Sequence, residues 1–128
     1  MTKREPNLLA WQWNGYPDFH ADRRNLVLHV LTQPIFVAGF VTVLGAPLAG
    51  SLVAAVSSAV GGLVAMVVAI AVQGRGHAQE KNAPIPFAGA GDLIGRILLE
   101  QLVSFPRFVL TGGLARAWRA SVAPQTAA

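Results

Sequence analysis

Charge is absent from the middle of this chain. From residue 25 to residue 74 there is no Asp, Glu, Lys or Arg, and the ten basic and six acidic residues all lie outside that stretch. Within it, two apolar runs at about 26–44 and 48–72 are separated by Gly45-Ala46-Pro47. A run of roughly 19 residues makes about 28 Å of helix, enough for a hydrocarbon core of about 30 Å. So short a turn sends the second helix back antiparallel to the first. The pattern therefore predicts a membrane helical hairpin. Pro34 is expected to kink the first span one turn inside the membrane edge. In the second span Gly50, Ala54, Ser58 and Gly62 recur every four residues. That spacing puts small side chains in one stripe, where another helix can approach closely.

The flanks differ in kind. Residues 1–24 form a polar leader bearing aromatic side chains, too long and mixed for a secretory n-region, so the first span is read as retained. Residues 73–91 are polar, rich in Gly and Pro, and irregular. A third segment at about 92–105 opens on Asp92 as an N-cap. It carries Leu93, Ile94, Ile97, Leu98, Leu99, Leu102 and Val103, but also Arg96 and Glu100, spaced to pair along one helix face. Charges at bilayer depth cost about 2.5–3.5 kcal/mol each. The segment is therefore expected to lie in the interface or under the hairpin, with Pro106 interrupting it. Residues 116–128 read as a tail, disordered at its end. The expected architecture is all-α: an integral membrane helical hairpin with an additional amphipathic, interfacial C-terminal helix, in one membrane domain over 25–115. If the third segment does not span, Arg116 and Arg119 share a side with Lys3, Arg4, Arg23 and Arg24. The charge rule then places that side, and the termini, in the cytoplasm.

Composition supports this reading and excludes several functions. Of 128 residues, 53% are apolar and 12% charged, about half the charged share of a soluble domain. The net charge of +4 comes from scattered residues flanking apolar runs, with no basic stripe or recognition motif, which argues against a nucleic-acid partner. The chain has no cysteine, so disulfides, thiolate metal sites and thiol catalysis are excluded. Ser57 and Ser58 lie mid-span without a neighbouring base, which disfavours a serine nucleophile.

Three histidines remain, and the hairpin brings them to one edge. His29 lies about one turn inside the first span, and an ionisable group at that depth is a functional candidate. Asn25, four residues earlier on the same face, is placed to orient its ring. His77 follows the second span, with Glu80 three residues on. His20 is nine residues before His29, two and a half helical turns, so the leader must fold back for the two rings to meet. Imidazoles with a carboxylate suit divalent iron or zinc. Two other readings stay open: a non-enzymatic hairpin that scaffolds a partner through its small-residue stripe, and a bis-histidine haem protein.

Three blocks in order also resemble a known family. They are Tyr16-Pro17-Asp18-Phe19-His20 with Asn25, His29 and Gln33-Pro34; Gln73, Gly76-His77, Glu80-Lys81 and Pro84; and Phe105-Pro106-Arg107-Phe108-Val109. Together, over about residues 13–109, they resemble the Mpo1-like family of membrane 2-hydroxy fatty acid dioxygenases. The resemblance implies an Fe(II)-dependent enzyme that shortens 2-hydroxy fatty acids by one carbon, with His20, His29 and His77 as metal ligands. It implies Asn25 and Glu80 as further catalytic or ligating groups and Gln73 in a supporting shell. Arg75, Lys81 and Arg96 are candidates to hold the substrate carboxylate at the interface. The partners implied are a fatty-acid-like lipid, O2 and membrane lipids; a homo-oligomer is left open. The location implied is the inner membrane of a bacterium or the endoplasmic reticulum of a eukaryote.

Overall fold

The computed structural model describes residues 6–122, and these residues form helices and turns with no strand. In chain order the helices are α1 (Leu8–Gly15), α2 (Arg23–Gly45), α3 (Leu52–His77), α4 (Ala90–Leu99), α5 (Phe105–Leu110) and α6 (Gly113–Val122). Short 3-10 turns follow α1 and α2, and a π turn at Glu100–Ser104 joins α4 to α5. Lys3 and Arg4 in the leader, and residues 123–128 of the expected tail, lie outside the described residues.

Local sequence sets the element ends. Asn7 caps α1 by accepting from the Ala10 amide at 3.2 Å. Asp22 caps α2 through the amides of Arg24 and Asn25, and Ser51 caps α3 through Ala54. Such side-chain acceptors satisfy amides that have no partner inside the helix. Gly50, at φ +80°, makes the reversal into Ser51 in a conformation that costs glycine little. It therefore lies outside α3 and is not a member of the small-residue stripe.

Helices α2 and α3 pack antiparallel along their whole length. A β-carbon at Gly39 would lie 2.6 Å from the Gly62 carbonyl, and one at Gly62 would lie 2.6 Å from the Gly39 carbonyl. The two backbones touch there. A β-carbon at Gly76 would collide with the Asn25 side chain. On each helix these two contacts are fourteen residues apart, about 21 Å of helix, so the approach is held from mid-hairpin to its open end. The other faces are apolar and uncovered: Leu31 is 61% exposed and Val67 67%. Only 28% of the apolar window of α2 and 11% of that of α3 is buried. Both helices are long and apolar enough to cross a membrane, and with this exposure they are not the core helices of a soluble domain.

The third segment departs from expectation in three respects. Its cap is Gly89, and Asp92 lies inside the first turn, accepting from the Ala88 amide at 3.0 Å. Pro106 does not interrupt it; the chain stays helical from Ala90 to Leu110 through the π turn. In such a turn the amide of residue 106 would bond to the carbonyl of residue 101, but proline has no N–H. Gln33 Nε2 takes that carbonyl at 2.8 Å, tying the turn to α2. Finally, Arg96 does not pair with Glu100. It faces Asp92 at 3.6 Å, donates to the Ile85 carbonyl at 2.9 Å, and stacks on Trp11 and Phe87. The tail expected from residue 116 is also ordered as helix to Val122, its start being part of α6. Tyr16, Leu26, Phe105 and Phe108 form a small core under the open end of the hairpin, with Trp13, Leu114 and Ala117 packed on it.

Candidate metal centre

The site is assembled from four chain segments. His29 lies in the second turn of α2 and His77 in the last turn of α3. His20 ends the 3-10 turn after α1, and Glu100 opens the π turn. The fold-back required for His20 is supplied by Tyr16–Phe19 and by Glu80. The Glu80 carboxylate accepts from the Ala21 and Asp22 amides at 3.0–3.2 Å and from Asn25 Nδ2 at 2.7 Å. Asn25 Nδ2 also donates to the Phe19 carbonyl at 3.1 Å. Glu80 and the Asn25 side chain are thus the clasp that holds the leader on the hairpin, and neither belongs to the cluster that could hold a metal.

The three imidazoles converge. Their ring centroids are 4.8, 4.9 and 5.0 Å apart, each pair nearly perpendicular. Nε2 of His20, His29 and His77 lies 3.1, 3.3 and 3.8 Å from the same oxygen, Glu100 Oε1. One ligand atom from each of the four residues falls within 4.8 Å of all the others. The Tyr16 ring stacks on His20 at 3.8 Å and its hydroxyl donates to Glu100 Oε1 at 3.3 Å.

The protons do not suffice for this arrangement. His20 Nδ1 lies 2.9 Å from the Tyr16 carbonyl, and His29 Nδ1 lies 3.0 Å from the Asn25 carbonyl. Each ring therefore sits between a carbonyl oxygen and the Glu100 carboxylate. A neutral imidazole carries one N–H, so whichever tautomer it adopts, one ring nitrogen faces an oxygen with no proton between them. His29 Nε2 and His77 Nδ1 are buried without a hydrogen-bond partner among the described residues. Burial pushes the Glu100 carboxyl up, but the three imidazoles of His20, His29 and His77 beside it outweigh burial and hold the group well below the ordinary carboxylate range. Burial lowers His20, against the opposing pull of Glu100. A metal requires an ionised carboxylate of such a ligand set, and the direction at Glu100 agrees with that. Imidazoles whose Nδ1–H groups are anchored on carbonyls are the usual second shell of a metal-bound histidine. Ligands at about 2.0–2.2 Å from a metal stand roughly 3–3.5 Å from one another, so the 3.1 and 3.3 Å separations already fit a shared cation.

Gln73 is buried at the wall of the cavity beside the histidines. It forms a reciprocal amide pair with Gln101 at 2.6 and 3.1 Å and donates to Thr32 Oγ1 at 3.0 Å. Ser104 donates to Gln12, which donates to the Arg96 carbonyl. This buried network locks the π turn, and with it Glu100, against α1, α2 and α3. Arg75 and Lys81 are exposed and do not line the cavity beside the histidines. That cavity, of about 370 Å³, reaches His20, His77 and Glu100 between mostly apolar walls that include Trp11, Phe19, Ile70 and Phe87. The cation on its wall is Arg96.

Sequence reasoning missed Glu100 as a member of the cluster. The available signal was an acidic residue within an apolar segment, which is expensive unless something compensates it. No family model, curated protein or solved structure matches the chain.

Proposed function

We propose that this chain is an integral membrane, iron-dependent dioxygenase of the Mpo1-like kind, which shortens a lipid-derived 2-hydroxy acid by one carbon. Its metal ligands are His20, His29, His77 and Glu100. The observation that carries the metal reading is the shortage of protons between three imidazoles, two carbonyls and one carboxylate oxygen, which a divalent cation among the Nε2 atoms removes. Three histidines and a carboxylate, without thiolate, suit Fe(II). Bound there, Fe(II) would supply the O2 chemistry that side chains lack. One O2 converts a 2-hydroxy acid into the acid one carbon shorter, CO2 and water, with no external reductant.

The rest follows from the chain's own residues. The apolar cavity takes an acyl chain and excludes water from the ligands. The Tyr16 hydroxyl and ring fix Glu100 and His20, while the Asn25 carbonyl fixes His29. The uncovered faces of α2 and α3 lie in lipid, and the uncharged turn at residues 45–51 is the far end of the hairpin. The charged end, with the cavity mouth, faces the cytoplasm.

The alternatives fit the geometry less well. Gly62, one of the small residues that scaffolding would use, is consumed where it meets Gly39 inside the hairpin. A haem would need its macrocycle between two rings, where the Glu100 oxygen already lies. The test is iron content of detergent-purified protein, together with O2 uptake and product analysis on a long-chain 2-hydroxy acid. Iron at about one per chain, lost in the His29→Ala/His77→Ala double variant, is expected. Wild-type protein that takes up no iron, or a double variant with undiminished iron, would sink the site.

A further inference from the structure

A second concavity lies on the side of α2 turned away from the metal centre. Val27 and Leu31 stand about half a turn around α2 from Asn25 and His29. With Val30 of α2 and Leu114, Trp118 and Arg119 of α6 they line a groove of about 610 Å³ whose walls are almost wholly apolar. The groove runs along the outer face of α2 from its first turn, continuous with the exposed apolar surface of the hairpin: Val30 is 44% exposed and Leu31 61%.

Its upper rim is cationic. Arg119 lines the groove, and the Arg23 guanidinium lies over the Trp118 ring at 4.6 Å. Arg23 Nε is buried and has no hydrogen-bond partner among the described residues. Asp22, the adjacent acid in sequence, is turned to the α2 amides. A tryptophan beside two arginines where a spanning helix leaves the bilayer occupies headgroup level.

We propose that this groove binds one anionic glycerophospholipid. An acyl chain lies against Val27, Val30, Leu31 and Leu114, and the phosphate is held between Arg23 and Arg119 beside Trp118. The terminal N–H groups of Arg23 and of the exposed Arg119 fork donate to phosphate oxygens, which guanidinium groups match in shape and charge. A zwitterionic lipid fills the apolar part equally but brings its own cation to the arginine rim, so the site discriminates by headgroup charge. The site is separate from the metal centre and does not depend on it.

The test is native mass spectrometry of the full chain, released from detergent containing equal amounts of phosphatidylglycerol and phosphatidylcholine. Wild-type protein is expected to retain one phosphatidylglycerol in clear preference. Each of Arg23→Gln and Arg119→Gln should reduce that preference about fivefold, as one arginine near an anionic headgroup contributes. Arg75→Gln, at an exposed residue outside the groove, should leave the preference unchanged. Leu31→Trp should lower retention of both lipids by blocking the acyl position. Equal retention of the two lipids by wild type overturns the proposal without recourse to any variant. So does an equal loss in Arg75→Gln, which would indicate surface charge alone, or full displacement of the lipid by glycerol phosphate, which has no chain.

Discussion

Replacing Glu100 by glutamine should weaken metal binding and stabilise the metal-free protein, and the two effects have a common cause. The substitution keeps the size and shape of the side chain but removes one negative charge and adds an NH2 group. In the metal-free wild type, three imidazoles crowd Glu100 Oε1 at 3.1–3.8 Å, and the two between oxygens are each one proton short. The glutamine NH2, in the place of Oε1, can donate to two of the Nε2 atoms, but the Tyr16 hydroxyl, which donates to that same oxygen, then loses its acceptor. At a net value of about 0.5–1.5 kcal/mol for each hydrogen bond, two made and one lost leave the metal-free variant about 0.5–1.5 kcal/mol more stable, or a few degrees in Tm. With metal the sign reverses. At a free metal concentration of about 100 Kd, wild type gains roughly 2.7 kcal/mol. If losing the anionic ligand weakens binding about hundredfold, the variant gains only about 0.4 kcal/mol at the same concentration. The assay is thermal unfolding in detergent followed by tryptophan fluorescence, in chelator and then in anaerobic Fe(II). The contrary account is that protonated histidines form buried ion pairs with Glu100. Removing one partner of such a pair costs about 3–5 kcal/mol. A metal-free variant that melts far below wild type would therefore refute the proton-shortage reasoning, as would an undiminished response to Fe(II).

Other perturbations test the supports of the site. Glu80→Ala releases the Ala21 and Asp22 amides and Asn25 Nδ2. It should cost about 2 kcal/mol, expose the leader to limited proteolysis, and lower metal affinity about tenfold through loss of His20 positioning; a protease pattern identical to wild type counts against the clasp. Gly62→Leu puts a side chain where even a β-carbon lies 2.6 Å from the Gly39 carbonyl. It should separate the helices at a cost of about 3 kcal/mol or more, seen as a shortened lifetime in detergent. Gln101→Leu leaves Gln73 without its reciprocal partner in a buried position, which should cost about 1–3 kcal/mol. The double variant with Gln73→Leu should recover much of that loss in the same melting assay.

The hairpin was legible because its signal is collective. Fifty consecutive residues without charge, divided by Gly45-Ala46-Pro47, leave few alternatives to two antiparallel apolar helices. Small residues marked where they touch, although the stripe that forms is set by contact with α2. Gly50 lies outside the helix, while Gly62 and Gly76 make the close approaches. His29 and His77 followed from that topology. His20 did not, because its place depends on hydrogen bonds that the Ala21 and Asp22 amides donate to Glu80, some sixty residues later in the chain, which no local spacing encodes. The same distance in sequence disguised Glu80, whose position three residues after His77 suggests a ligand. The helix ends at His77, and the turn that follows carries Glu80 to the leader instead.

Glu100 is the instructive miss, since magnitudes alone could have found it. An i, i+4 pair with Arg96 accounted for it qualitatively. Such a pair contributes about 0.3–0.5 kcal/mol, whereas a carboxylate placed among Ile97, Leu98, Leu99 and Leu102 costs several times that. The deficit required a stronger partner off the helix, and the histidines that the hairpin gathers at one edge were candidates for it. The structure closes that account with a local device. Pro106 withholds an amide, Gln33 takes the freed Gln101 carbonyl, and the widened π turn presents Glu100 to the histidines while Gln101 meets Gln73. The proline that read as a helix breaker is better understood as part of what aims the fourth ligand.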